Sequence, residues 1–167
     1  MVMDNLDKII QCLENQRNIY EKLLSLSMEK KDAIIEGKVN ELDNFIKLEG
    51  NLILEIGKLE NERDSTAEAL ARELGCSREN LTISYICNEV KDKRCTSLKK
   101  VADSIGSTLN KLKEINDLNG ELIEQSLEFI NFSINLISDS MEGQNVIYEG
   151  KPEESKDNNV RLFDAKI

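Results

Sequence analysis

The amino-acid sequence predicts an all-α protein: an elongated antiparallel helical bundle or coiled coil of three long helices plus a short connecting helix, followed by a flexible C-terminal tail. Three observations carry this prediction. Apolar residues recur every three or four positions through most of the chain, the pattern of amphipathic helices packed along a seam. The 167 residues contain one proline, so long helices run without interruption. Aromatic residues make up 4% and tryptophan is absent, which disfavours the core of a sandwich or barrel.

The first helix is expected over 4–35, with Leu6, Ile9, Ile10, Leu13, Tyr20, Leu23, Leu24, Ile34 and Ile35 close to a heptad repeat. Its middle is weak, because Gln16, Arg17, Ser27 and Lys30 fall where a strict seam wants apolar side chains. Gly37 supplies a left-handed terminus and Asn40 a candidate N-cap, and so short a turn makes the next helix antiparallel to the first. The second helix carries Leu42, Phe45, Ile46, Leu52, Ile53, Ile56, Leu59, Ala67, Leu70 and Leu74, and stops at Gly75. Gly50 and Gly57 inside it read as tolerated glycines on a partly exposed face. Thr82 is placed to cap a short helix over Ile83, Tyr85, Ile86 and Val90. The same stretch is rich in branched and aromatic residues, but a lone strand would have no partner.

The third long helix, over 98–140, changes character along its length. Leu98, Val101, Ala102, Ile105, Leu109 and Leu112 fall within an arc of about 100°, an ordinary bundle seam. Further on, Leu122, Ile123, Leu127, Phe129, Ile130, Phe132, Ile134, Leu136 and Ile137 spread over roughly 220°, leaving Glu124, Glu128, Asn131 and Asn135 as a polar strip. One neighbouring helix cannot cover so wide a face. A helix rises about 1.5 Å per residue, so this one also outlasts the first two. The expectation is a bundle domain over 1–140 whose late apolar arc is a protein-binding surface, and a tail over 141–167. Two occupants of that arc belong to the chain itself: a segment folded back, or a second copy in a homodimer. A coiled-coil scaffold or homo-oligomerisation module is the alternative function.

Composition excludes several classes. A net charge of −10 opposes nucleic acid and anionic lipid, which require a basic surface. The first ten residues include Asp4 and Asp7 and lack the basic start and apolar core of a signal peptide, and no run approaches the roughly 20 apolar residues that span a bilayer, so the expected location is the cytoplasm without membrane insertion. Histidine is absent, removing the usual proton shuttle near neutral pH, and no phosphate-binding, nucleophile-elbow or metalloprotease motif occurs. Cys12, Cys76, Cys87 and Cys95 form no C-x-x-C pair. The reading is therefore no enzyme, no cofactor and no metal.

Two stretches and a tail feature resemble a known family. Leu59-Glu60-Asn61-Glu62-Arg63, the run from Asn116 to Ile130, and Tyr148 with nearby Gly150 in the tail are similar to the FlgN-type flagellar export chaperones, in the same order along nearly the whole chain. The resemblance implies a cytosolic, ATP-independent chaperone. It would bind the C-terminal helices of the hook-filament junction proteins FlgK and FlgL through the later part of its third long helix and deliver them to the export-gate protein FlhA. By motif position, the gate-docking tyrosine would be Tyr148, although here the spacing to its glycine is shorter than the family usually shows.

Overall fold

The computed structural model describes the backbone of residues 1–148 and the side chains of residues 1–141. Among them are four α-helices and one 3-10 turn: α1, Val2–Glu36; α2, Val39–Leu74; the turn Arg78–Asn80; α3, Ile83–Val90; and α4, Arg94–Tyr148. The described residues divide into two units, one over Met1–Ser126 and one that begins at Leu127. Helix α4 continues past the expected end at Ser140 as far as Tyr148, so 141–148 is helical, and the rest of the expected tail lies outside the described residues.

In the first unit the turn between α1 and α2 is closed by glycine. Gly37 sits at φ 68°, and the amides of Gly37 and Lys38 donate to the carbonyls of Ile34 and Ala33 at 3.2 and 2.9 Å, which terminates α1. The chain then re-enters a helix at once: Lys38 is the N-cap of α2 and Asn40 lies inside it, which corrects the expected cap. The tight glycine closure leaves no extended residue for Asn40 to occupy. Gly75 ends α2 in the same way at φ 69°. Thr82 caps α3 as expected, its hydroxyl accepting from the Tyr85 amide at 3.1 Å.

Two apolar clusters hold the bundle. The first joins Leu6, Ile9 and Leu13 of α1, Ala67 and Leu70 of α2, Ile86 of α3, and Leu98 and Val101 of α4. The second joins Ile19 and Leu23, Ile56, and Leu112, with Ile115 and Leu59 packed beside them. Helix α4 thus meets the start of α1 before its middle and the end of α2 before its middle, so it runs parallel to α1 and antiparallel to α2. Short α3 lays Ile86 into the first cluster, and Arg94 pins the start of α4 to α1 through Asp7 at 3.3 Å.

Of the four polar positions that weaken the α1 pattern, Gln16, Ser27 and Lys30 are rungs of this bundle, whereas Arg17 pairs within α1 with Glu21. Gln16 is 1% exposed and accepts from the Arg63 guanidinium at 3.3 Å. Ser27 is 1% exposed and donates to Glu49, which also holds the Lys30 ammonium at 2.6 and 2.8 Å. Nearer the other end, Asn5 donates to Glu73 at 3.0 Å. Each pair matches a later residue of α1 with an earlier one of α2. Polar pairs inside a seam fix one register, because a slip leaves each of these groups buried without its partner.

Candidate functional site

The seam of α4 is a heptad pattern with two rows. Leu98, Ile105, Leu112 and Asn119 form one, and Val101, Thr108, Ile115 and Leu122 the other; all eight are buried or half-buried. Leu109, expected in the seam, is 39% exposed, and Thr108 takes its place. A straight-helix projection counts 3.6 residues per turn, whereas a supercoiled seam repeats every 3.5 and drifts by about 20° per heptad. That drift carries Leu109 to the edge of the seam.

The seam ends on Asn119. Its side-chain amide, 3% exposed, donates to the backbone carbonyl of Ser27 at 2.9 Å, beside the Ser27–Glu49–Lys30 network. One turn later Leu122 is half-buried, and from there to Met141 every large apolar residue of α4 is exposed. Ile123 and Ile134 are exposed at 42% and 47%, and Leu127, Ile130, Phe132, Leu136 and Ile137 between 50% and 59%. Phe129 reaches 70%.

Helical spacing arranges these side chains in two ridges. Ile123, Leu127, Ile130, Ile134 and Ile137 follow one another at intervals of four, three, four and three residues. Leu122, Phe129 and Leu136 repeat at seven, with Phe132 alongside. Between the ridges lie Ser126, Ser133 and Ser140, also seven apart. Their hydroxyls donate back to the carbonyls of Leu122, Phe129 and Ile137 at 2.8, 2.9 and 2.8 Å. The serine row is thus a low furrow whose donors are already satisfied. Two apolar ridges around a furrow of small residues form the complement of a helix ridge. Ser126 and Ser133, small residues near the centre of the apolar arc, mark this furrow in the sequence, and Ser140 extends it by one heptad.

The Tyr148 side chain lies outside the described residues; its backbone closes α4. Elsewhere the clefts are shallow. One between α1 and α2 is lined by Lys8, Gln11, Cys12, Asn61 and Glu62, and another between α1 and α4 by Leu24, Met28, Ile115 and Leu118. Among the described residues no three cysteine or carboxylate side chains gather as a metal site. Burial pushes the Cys12 thiol up, helped by nearby Glu62, so it stays protonated near neutral pH. No described helix is long and apolar enough to cross a membrane.

Two comparisons with known proteins bear on this arrangement. A protein of Bacillus subtilis (strain 168) named "Uncharacterized protein YvyG" is 32% identical over 158 residues, covering 95% of this chain and 96% of its own length. No solved structure matches. The family model described as "FlgN protein" matches residues 1–155, which takes in the three-helix bundle, the polar rungs at Arg63 and Asn119, and the whole exposed face of α4. The chain belongs to the FlgN family of flagellar export chaperones.

Proposed function

We propose that the face of α4 from Leu122 to Ile137 binds the C-terminal helical segments of FlgK and FlgL in the cytoplasm, keeps them from assembling early, and hands them to the export-gate protein FlhA. The observation that carries this reading is the exposure of eight large apolar residues on one helix, in two ridges around a furrow of internally satisfied serines. Exposed apolar surface costs about 25 cal/mol per Å², and a set of side chains this large is normally retained for a partner. An amphipathic client helix laid in the furrow would bury both ridges and meet no unsatisfied hydroxyl. The work is binding, without ATP or another cofactor. Tyr148 is assigned to gate docking on its motif position alone.

Replacing Leu127 and Ile130 by aspartate tests the assignment. Binding of the FlgK and FlgL C-terminal segments should weaken by about a hundred-fold or more, as for loss of central anchors, with the helical circular dichroism retained. Unchanged affinity overturns the site. Tyr148→Ala should spare client binding and weaken capture by the cytoplasmic part of FlhA; equal capture removes the tail assignment.

A second reading is a coiled-coil scaffold that pairs through the same face, favoured by the seven-residue spacing of the serines. A molar mass that stays monomeric across the working concentration range disposes of it.

A further inference from the structure

The charge of this chain is unevenly placed. From Glu114 to Glu149 there are eight carboxylates, Glu114, Asp117, Glu121, Glu124, Glu128, Asp139, Glu142 and Glu149, and no lysine or arginine. That stretch holds −8 of the chain's net −10, so the remaining residues together are close to balanced. Elsewhere among the described residues about half of the carboxylates pair with cations, as at Arg17 with Glu21, Lys30 with Glu49, Lys47 with Asp43, and Arg94 with Asp7. Along the exposed face of α4 no such pair forms: none of the salt bridges among the described residues involves Glu124, Glu128 or Asp139.

The position of these carboxylates is as telling as their number. By helical spacing Glu121, Glu124, Glu128 and Asp139 occupy the strip opposite the serine furrow, so that they border the two apolar ridges on their outer sides. The last turn of α4 carries no basic residue, and the negative end of the helix dipole adds to the same field. A surface apolar in the middle and acidic at both margins attracts a partner with the reverse margins.

We infer that the segment seated on α4 is an amphipathic helix whose apolar stripe is flanked by lysine or arginine, and that the acidic margins select it against helices of equal hydrophobicity with acidic flanks. This rests on the reading of the Leu122–Ile137 face as the client site and adds the charge that a client must bring. A second copy of this chain is a poor occupant, because self-pairing brings another unbalanced acidic stretch and no cation to border it.

Two synthetic helices of about 18 residues, long enough to line the face, test the inference. They share one leucine and isoleucine stripe and differ only in flanks of lysine or of glutamate. Titrated into the full chain at about 50 mM salt, the lysine-flanked peptide should bind about ten-fold more tightly, and at about 500 mM salt the gap should largely close, as screening shortens the reach of the field. The triple variant Glu124→Gln, Glu128→Gln, Asp139→Asn should narrow the gap while leaving binding of the glutamate-flanked peptide equal or stronger. Equal affinities at low salt, or a gap indifferent to the triple variant, overturn the inference and leave the apolar face standing as the site. Failure of both peptides to bind overturns the face itself. Peptide binding that emerges only on dilution of a dimer makes a second copy the occupant and overturns the inference as well.

Discussion

The side-chain amide of Asn119 donates to the backbone carbonyl of Ser27 at 2.9 Å across 92 residues of sequence, and this contact marks where the core of the bundle gives way to exposed surface on α4. The Asn119 carbonyl oxygen has no hydrogen-bond partner, so the site has a donor matched and an acceptor left over. Asn119→Asp replaces that donor by a carboxylate facing the Ser27 carbonyl in a buried place. It should cost about 2–4 kcal/mol at pH 7. The deficit should shrink as the pH falls, because a protonated carboxyl can again donate. Urea denaturation at pH 7 and near pH 5 checks both; a pH-independent loss rules out the charge explanation.

Lys30 and Glu49 are the strongest polar rung, with side chains only 16% and 15% exposed. Glu49→Ala leaves the ammonium and the Ser27 hydroxyl without their shared acceptor, and should destabilise the fold by about 1–3 kcal/mol, the partial exposure lowering the figure for a fully buried pair. The double variant Lys30→Met, Glu49→Leu should recover most of that loss, since an apolar pair fills the same layer. A double-mutant cycle by urea denaturation measures the coupling. Strict additivity of the single replacements would remove the rung from the account of register.

Helix existence, order and most termini could be read from apolar spacing and from Gly37, Gly75 and Thr82, because each of these acts locally. The polar rungs could not. Gln16, Ser27 and Lys30 look like flaws in a seam until Arg63, Glu49 and Asn119 come to meet them from other helices, and pairing across 19 to 92 residues leaves no local trace. The apolar face was legible for a different reason: an arc too wide for one neighbour is visible in a single helix. Its inner boundary was less so, since Leu109 and Thr108 exchange roles through a supercoil that a straight-helix projection ignores.

Leu98 and Phe129 lie on the same helix and should respond oppositely to truncation. Leu98 is 0% exposed in the first cluster, so Leu98→Ala should cost about 2–5 kcal/mol through lost burial and the cavity left behind. Phe129 is 70% exposed, and Phe129→Ala should change stability by no more than about 0.5 kcal/mol. Chemical denaturation of the two variants makes the comparison. A large loss at Phe129 would mean that the free chain already covers the face, which would then have to open before the proposed client could bind.

Cys87 gives a pH-dependent test of the joint between α3 and α4. Burial pushes its thiol up to about 11 from an ordinary 9, with the Cys95 side chain hydrogen-bonded beside it adding to the rise. A thiol whose folded value lies above its unfolded value binds its proton more tightly in the native state. Its contribution is therefore complete below about pH 9 and is lost as the pH rises toward 11. Urea midpoints should fall over that window, and Cys87→Ser should flatten the part of the decline that this thiol causes. Alkylation of Cys87 in the folded chain at pH 8 should be slower than in the urea-unfolded chain, because the thiolate is the reacting species. Equal alkylation rates would show that α3 opens freely from α4, and that the joint does not hold the start of α4 in place.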